Sequence, residues 1–182
     1  MALELHFDLT LYPDPLLRRP ALPVPAFDEE LRTIVAGMFE RMYASKGVGL
    51  AAPQVGLKKR LLVLNPGGEK QDELVLVNPR ILERSSSVTL FEEGCLSFPG
   101  IYAAVERPEN CRVQAFTVDG TPFEQALGGF TSRIVQHEYD HLEGVLLVDR
   151  MSPADRLQNK AALEELIAKY KRKAVPASPP RS

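Results

Sequence analysis

Apolar residues recur at helical spacing near both ends of the chain. Over residues 29–45 they fall at steps of three and four, which predicts an amphipathic helix, and Asp28 is its expected N-cap. The apolar positions are Leu31, Ile34, Val35, Met38, Phe39 and Met42. A second stripe, starting near Pro153, predicts a C-terminal helix. Its members are Leu157, Ala161, Leu163, Leu166, Ile167 and Tyr170.

The middle of the chain has a different pattern, with short runs of β-forming residues separated by turn signals. The predicted strands are residues 61–64, 74–82, 88–91, 113–118 and 122–127. The turns are residues 66–68, 85–87 and 119–120, which are rich in glycine, proline and serine. A helix over residues 129–143 follows, with Gly144 as its C-cap. The expected fold is α+β, with antiparallel strands packed around this central helix between an N-terminal and a C-terminal helix.

Composition limits the domain count and the classes of partner. A chain of 182 residues with 45% hydrophobic content fits one domain, predicted as residues 1–174, followed by a disordered tail at 175–182. No run approaches the roughly 18 apolar residues of a membrane span, so no membrane partner is expected. A net charge of −2 gives no indication of DNA binding. Two cysteines are too few for a disulfide framework, which favours the cytoplasm.

The central helix carries the strongest chemical motif, HExxH. His137 and His141 lie four residues apart, about 6 Å along one helix face, so both imidazoles can bind one metal ion with Glu138 beside it. They are two of only three histidines, and the third, His6, has no such neighbours and is interpreted as an ordinary surface residue. The alternative is a surface helix with scattered polar residues.

A third protein ligand is expected, because catalytic zinc-like centres usually use three and leave one position for water. Cys95 is the best candidate, since Gly94 and Gly100 allow its backbone to bend close to a ligand. Cys111, within an apolar run, is typical of a small buried residue instead.

A segment of small residues, 47–56, surrounds a single amide side chain, that of Gln54. Its glycines favour a loop that lies against a ligand. A tight turn between the first helix and the strand at residue 61 would also explain the glycines, but it leaves Gln54 unexplained.

In chain order, residues 47–54, 93–97 and 136–141 read GVGLAAPQ, EGCLS and QHEYDH, and together they resemble the three signature motifs of the peptide deformylases. The resemblance implies removal of the N-formyl group from the initiator methionine of nascent polypeptides by metal-assisted amide hydrolysis. It implies a bacterial cytoplasmic enzyme, with an organellar origin as the alternative. Cysteine and histidine ligands suit zinc, whereas the resemblance implies native Fe(II), with nickel or cobalt as substitutes.

The resemblance also implies residue roles. Cys95, His137 and His141 would hold the metal, and Glu138 would act as general acid and base. The side chain of Gln54 and the backbone N–H of Leu96 would stabilise the negative charge that develops on the formyl oxygen.

Substrate contacts are expected around these groups. Ile134 and Phe130 lie three and seven residues before His137 on the helix, and with Val48 they would form an apolar pocket for the methionine side chain. The alternative interpretation is that these three residues are ordinary core residues. The backbone at Gly49 and Gly100 would pair with the extended peptide.

Two positions depart from the family pattern, and one ion pair is expected from it. Tyr102 stands where many members have an arginine that contacts the peptide. Arg133 replaces an apolar residue of some members and is expected to narrow or polarise the pocket entrance. Glu93 and Arg107 are expected to form an ion pair that braces the Cys95 loop.

Two other functions and one further partner remain open. A general HExxH metallopeptidase usually takes a histidine or glutamate as its third ligand, and a noncatalytic metal-stabilised module needs a closed four-ligand centre. A cluster of cations near the C-terminus would allow docking on the ribosome, although the helix dipole alone also favours cations there. The cluster consists of Lys169, Lys171, Arg172, Lys173 and Arg181.

Overall fold

The computed structural model describes residues 6–174, and within them the chain forms an α+β fold. Its helices are α1 (Glu29–Ala44), α2 (Gly129–Leu142), α3 (Leu147–Arg150), α4 (Pro153–Gln158) and α5 (Lys160–Ala174). Its strands are β1 (Gly49–Ala51), β2 (Leu61–Leu64), β3 (Leu74–Arg84), β4 (Val88–Cys95), β5 (Phe98–Pro108), β6 (Asn110–Phe116) and β7 (Pro122–Gly128). Short 3-10 turns lie at Pro15–Arg18, Ala52–Val55 and Lys70–Asp72.

The strands form two antiparallel sheets. One has five strands in the order β1-β2-β3-β6-β7, and the other is the two-stranded ribbon of β4 and β5. Helix α2 packs against strands of both sheets, and its apolar side contributes Ile134, Val135 and Leu142 to a core shared with β2 and β6. Helix α1 covers another part of the five-stranded sheet through a second core. The expected arrangement of antiparallel strands around a central helix is therefore confirmed.

The predicted helices agree with the structure, with one subdivision. Helix α1 begins after Asp28, whose carboxylate accepts a hydrogen bond from the backbone N–H of Leu31 at 3.0 Å. The predicted C-terminal helix is two helices, α4 and α5, because the chain turns at Asn159, whose side-chain amide donates to the carbonyl of Tyr102 at 2.8 Å. Residues 175–182, predicted as a disordered tail, lie outside the described residues. No helix in the described range is long and apolar enough to cross a membrane.

The strand predictions were wrong in two places and incomplete in a third. Strand β5 is missing from the predicted strands, because two prolines, a glycine and two alanines interrupt the β-forming residues of Phe98–Pro108. Gly49–Ala51 was expected to be a loop but pairs as an edge strand with β2. Strand β4 continues to Cys95 rather than ending at residue 91, because its pairing with β5 extends it.

Candidate metal centre and pocket

The structure brings the three predicted ligands together. The ligand atoms of Cys95, His137 and His141 all lie within 4.8 Å of one another, and Sγ of Cys95 is 3.3 Å from Nε2 of His141. Both histidines stand on one face of α2, and Cys95 ends β4, so a helix and a strand converge on one point. Burial lowers the pKa of His141, whereas for His137 the hydrogen bonds with Cys95 and Glu93 outweigh burial and raise the pKa.

A buried carboxylate orients the second histidine. Nδ1 of His137 is 2.9 Å from Oε2 of Glu93, which leaves Nε2 of the ring for a metal ion. Glu93 also accepts two hydrogen bonds from Arg107, at 2.7 and 3.0 Å, so the expected ion pair is present. Burial alone would raise the pKa of Glu93, but the bonds from His137 and Arg107 outweigh it and lower that pKa to about 2.

The network continues through a second carboxylate. Arg107 donates to Asp140 at 2.9 Å, and Asp140 in turn accepts two bonds from Arg150, at 2.6 and 3.0 Å. Through Glu93 this chain of charged groups holds His137, whereas Nδ1 of His141 is buried without a hydrogen-bond partner among the described residues.

Glu138 lies beside the metal ligands, and one of its two carboxylate oxygens has no hydrogen-bond partner among the described residues. Its side chain lines the pocket, and its Oε2 is buried without a hydrogen bond from any of residues 6–174. Burial raises the pKa of Glu138 to about 7. A Cβ added at Gly49 would lie 2.6 Å from Oε1 of Glu138, so only glycine lets β1 pass this close to the carboxylate.

The amide of Gln54 is fixed from both ends. Its Oε1 accepts from the backbone N–H of Ala51 at 2.9 Å, and its Nε2 donates to Oγ of Ser97 at 3.3 Å. Nε2 is also 3.6 Å from Sγ of Cys95. Gln54 is 1% exposed, and the distance to Cys95 shows that its donating end faces the metal site.

An open pocket of about 560 Å³ leads to these groups. All six residues predicted for the substrate pocket line it: Val48, Gly49, Gly100, Phe130, Arg133 and Ile134. Leu96 also lines it, and His141 lies behind it with only 1% exposure. Ile134 is buried at 4% exposure, whereas Val48 and Phe130 are about half exposed, at 43% and 51%.

The two departures from the family pattern occupy different places. Tyr102 is 56% exposed at the pocket wall, where its ring covers Gly94 of β4. Arg133 touches the pocket, but both terminal nitrogens are bonded to protein acceptors, so they are not free to meet a substrate. The expectation that Arg133 polarises the entrance is therefore not supported by its hydrogen bonds.

The remaining histidine and cysteine lie away from this site. His6 is exposed, 3.7 Å from the carboxylate of Glu40. Cys111 is buried at 4% exposure, beside the hydroxyl of Ser132, as expected for an apolar position. Burial raises the pKa of the Cys111 thiol.

Sequence reasoning assigned no role to several residues at the site. Ser97 stands inside the EGCLS motif, but nothing in the sequence shows that its hydroxyl reaches Gln54. Phe91 lines the pocket, and strand alternation could have indicated this, because it places residues 91 and 93 on one face. Asp140 gave no signal, since its partners lie 10 and 33 residues away.

The donor set fits one divalent metal ion. A thiolate and two imidazoles supply three ligands, and the unpartnered oxygen of Glu138 stands beside them at the base of an open pocket. Such an arrangement, three protein ligands with an adjacent carboxylate and access for substrate, defines the class of metal-dependent hydrolases.

Comparison with known proteins identifies the family within that class. The family model described as polypeptide deformylase matches residues 7–157. The chain is 46% identical to peptide deformylase 1B of chloroplasts and mitochondria from Arabidopsis thaliana, over 99% of this chain and 68% of that protein. It is 42% identical to the peptide deformylase of Thermotoga maritima, over 91% of this chain and 99% of that protein.

Solved structures agree. A plant peptide deformylase superposes with a TM-score of 0.90 at 46% identity, covering 96% of each chain. The peptide deformylase of Plasmodium falciparum also gives 0.90, at 41% identity, covering 93% of this chain and all of that one. The chain belongs to the peptide deformylase family.

Proposed function

We propose that this protein removes the N-formyl group from the N-terminal methionine of newly synthesised polypeptides by metal-dependent amide hydrolysis. One observation carries the proposal: Cys95, His137 and His141 meet beside the buried carboxylate of Glu138 at the base of a pocket, in a chain of the peptide deformylase family. The residue roles that follow extend this proposal.

Cys95, His137 and His141 are the proposed metal ligands, and Fe(II) is the proposed native ion, with zinc, nickel or cobalt as substitutes. When bound, a divalent ion supplies Lewis-acid catalysis and activates water at neutral pH. Glu93 holds the His137 ring in the orientation that presents Nε2 to the ion.

Glu138 is the proposed general acid and base. It takes a proton from the attacking water and later delivers it to the amine that leaves as the formyl C–N bond breaks. Its free, buried oxygen suits that task, because a carboxylate already committed to protein donors would be a weaker base.

Gln54 and the backbone N–H of Leu96 are the proposed donors to the formyl oxygen as negative charge develops on it. The bonds from Ala51 and to Ser97 hold the Gln54 amide in place before the reaction starts. A donor fixed in advance stabilises the transition state without the cost of reorientation.

The rest of the pocket is proposed to bind the formylated N-terminus. Val48, Phe130 and Ile134 provide an apolar wall for the methionine side chain, and Gly49 and Gly100 present backbone to the peptide. Gly49 lies on the edge strand β1, which pairs with β2 alone among the described strands, so its other side is proposed to pair with an added strand.

A bacterial cytoplasm is the proposed location, and an organelle is the alternative, since relatives of both kinds have similar sequences. We also propose that the basic end of α5 docks on the ribosome, where formylated N-termini emerge. Lys171, Arg172 and Lys173 in its last turn support this proposal.

The test is formate release from a formyl-Met tripeptide by protein purified without oxygen, with the metal content measured on the same sample. We expect formate in amounts that follow the metal content. The same tripeptide without its formyl group, and a longer unformylated peptide, should remain intact. Cleavage of an internal bond would identify a general metallopeptidase, and bound metal without hydrolysis would identify a structural site.

A further inference from the structure

Strand β4 forms one wall of the pocket but has little support within its own sheet. Among the strands of residues 6–174 it pairs only with β5, and its residues 88–92 are all exposed. Two-stranded ribbons are marginally stable in water without packing against another element. Phe91, which lines the pocket from this strand, is 58% exposed. Strand β5 packs in a core with α3 and α5, so contacts from other elements must hold β4 itself relative to α2.

One side chain from α2 reaches the ribbon at three points. Nη1 of Arg133 donates to Oε1 of Glu93 at 2.7 Å and to the carbonyl of Val105 at 3.0 Å. Nη2 donates to the carbonyl and the hydroxyl of Thr89, at 2.7 and 2.9 Å. Arg133 therefore ties β4 at two positions and β5 at one to the helix that carries both histidines.

The same guanidinium contacts the pocket wall directly. Its carbon lies 5.7 Å from the centre of the Phe91 ring, in cation–π contact. Arg133 is 7% exposed and stands one helical turn before His137. A planar guanidinium can reach these acceptors and the ring together, whereas a lysine ammonium supplies one point charge and no flat face.

We infer that Arg133 is a positioning residue that fixes strand β4 and Phe91 against α2 and thereby sets selectivity for a long apolar side chain on the first substrate residue. The inference rests on the proposed deformylase function. The terminal nitrogens of Arg133 are all bonded to protein acceptors, so Arg133 acts through Phe91, which lines the same pocket as Ile134 and Phe130.

A purely structural role has a different signature. If Arg133 only stabilised the fold, its loss would reduce the amount of active protein and lower the rates for all substrates alike. A positioning role predicts a loss that depends on the first side chain, since a small side chain does not use the wall.

The experiment compares formyl-Met and formyl-Ala tripeptides with the metal-loaded enzyme. For Arg133→Lys we expect kcat/KM on the formyl-Met peptide to fall about ten-fold, mainly through KM, as expected when one apolar contact is misplaced. The value for the formyl-Ala peptide should change far less, so the Met/Ala selectivity falls. Arg112→Lys is the matched control, because Arg112 pairs with Glu83 and Glu124 on exposed strands away from the pocket.

A second variant covers the case in which Arg133→Lys fails to fold. Thr89→Val removes only the hydroxyl acceptor and keeps the β-branched shape on an exposed strand position, so we expect a smaller selectivity loss in the same direction. Coupling gives a further check. In a Phe91→Ala background, Thr89→Val and Arg133→Lys should no longer change selectivity, because the wall through which they act is gone.

Equal losses on both peptides, or unchanged selectivity in both variants, would overturn the inference. The inference would also be overturned if the variants changed the Met/Ala selectivity equally with and without Phe91. Failure of the proposed function gives a separate result, because the parent enzyme would then release no formate from either peptide, and the inference would fall with it.

Discussion

Gln54 shows how much of the site depends on single hydrogen bonds to buried groups. Its carbonyl end is held by the backbone of Ala51 and its amide end by Ser97, so the amide cannot rotate without losing both contacts. A buried amide that loses its partners is costly, and this cost maintains the orientation. The donor that faces Cys95 is thus fixed by Ala51 and Ser97, neither of which lines the pocket.

We expect Gln54→Ala to lower kcat by about 10² to 10³, the usual effect of removing one oxyanion donor, with metal content unchanged. Ser97→Ala should lower kcat less, because Ala51 still holds the carbonyl end of the amide. Steady-state kinetics on a formyl-Met tripeptide measure both. A rise in KM alone would mean that Gln54 binds substrate and transition state equally.

For single residues, the sequence predicted the metal ligands better than the side chains that hold those ligands in place. His137 and His141 could be paired from their spacing on one helix, and Cys95 from its glycine-bracketed setting and the family motif. Arg133 was assigned to the pocket entrance, since the sequence cannot show that Glu93, 40 residues away, accepts its hydrogen bond. Partners distant in the chain become visible only once the fold brings them together.

At the scale of elements, the sequence pattern predicted those helices and strands whose stability depends on local interactions. Helix α1 has a capping residue and a regular apolar stripe, and its bounds were correct within one residue. Strand β5 has neither, and it is a strand because β4 pairs with it along eight positions. Tertiary pairing of this kind overrides interrupted propensity, and the alternation of Ile101, Ala103 and Val105 is too short to predict the strand.

The ribbon and α2 are joined by buried ion pairs. We expect these ion pairs to contribute more to the free energy of unfolding than the exposed ion pairs do. We expect Arg107→Met to lower the free energy of unfolding by about 3 kcal/mol, because it leaves Glu93 and Asp140 buried with one partner fewer each. Urea unfolding at matched metal content measures the change.

Arg112→Met is the control for that experiment. Arg112 also pairs with two carboxylates, those of Glu83 and Glu124, but on the exposed face of the large sheet. Water already solvates those groups, so the unfolding free energy should stay close to that of the parent protein. Equal destabilisation by both substitutions would contradict the importance assigned to the buried joint.

For the whole molecule, the basic end of α5 is separate from the catalytic pocket. Truncation after Ala168 removes Lys169, Lys171, Arg172 and Lys173 but keeps the buried Leu163 and Leu166. We expect hydrolysis of free formyl-Met peptides to be largely unchanged, and co-sedimentation with ribosomes at low salt to weaken, because phosphate contacts depend on these cations.

Replacing the same four cations with glutamine in the full-length chain separates charge from helix length. That variant should lose ribosome binding as the truncated protein does, while Lys58→Gln on an exposed loop should not. If ribosome binding survives both changes, the cluster does not bind the ribosome and is a solvated helix end, where the helix dipole favours cations.

The central claim, that Glu138 moves the proton in a metal-dependent deformylation, is tested most directly by formate release from Glu138→Gln at matched metal occupancy. We expect metal content equal to that of the parent and a fall in kcat of about 10² or more, the range attributed to general acid–base catalysis. Glu143→Gln, the same change at a half-exposed position just past the end of α2, should retain activity. Near-normal turnover by Glu138→Gln with its metal in place would contradict the proposed mechanism.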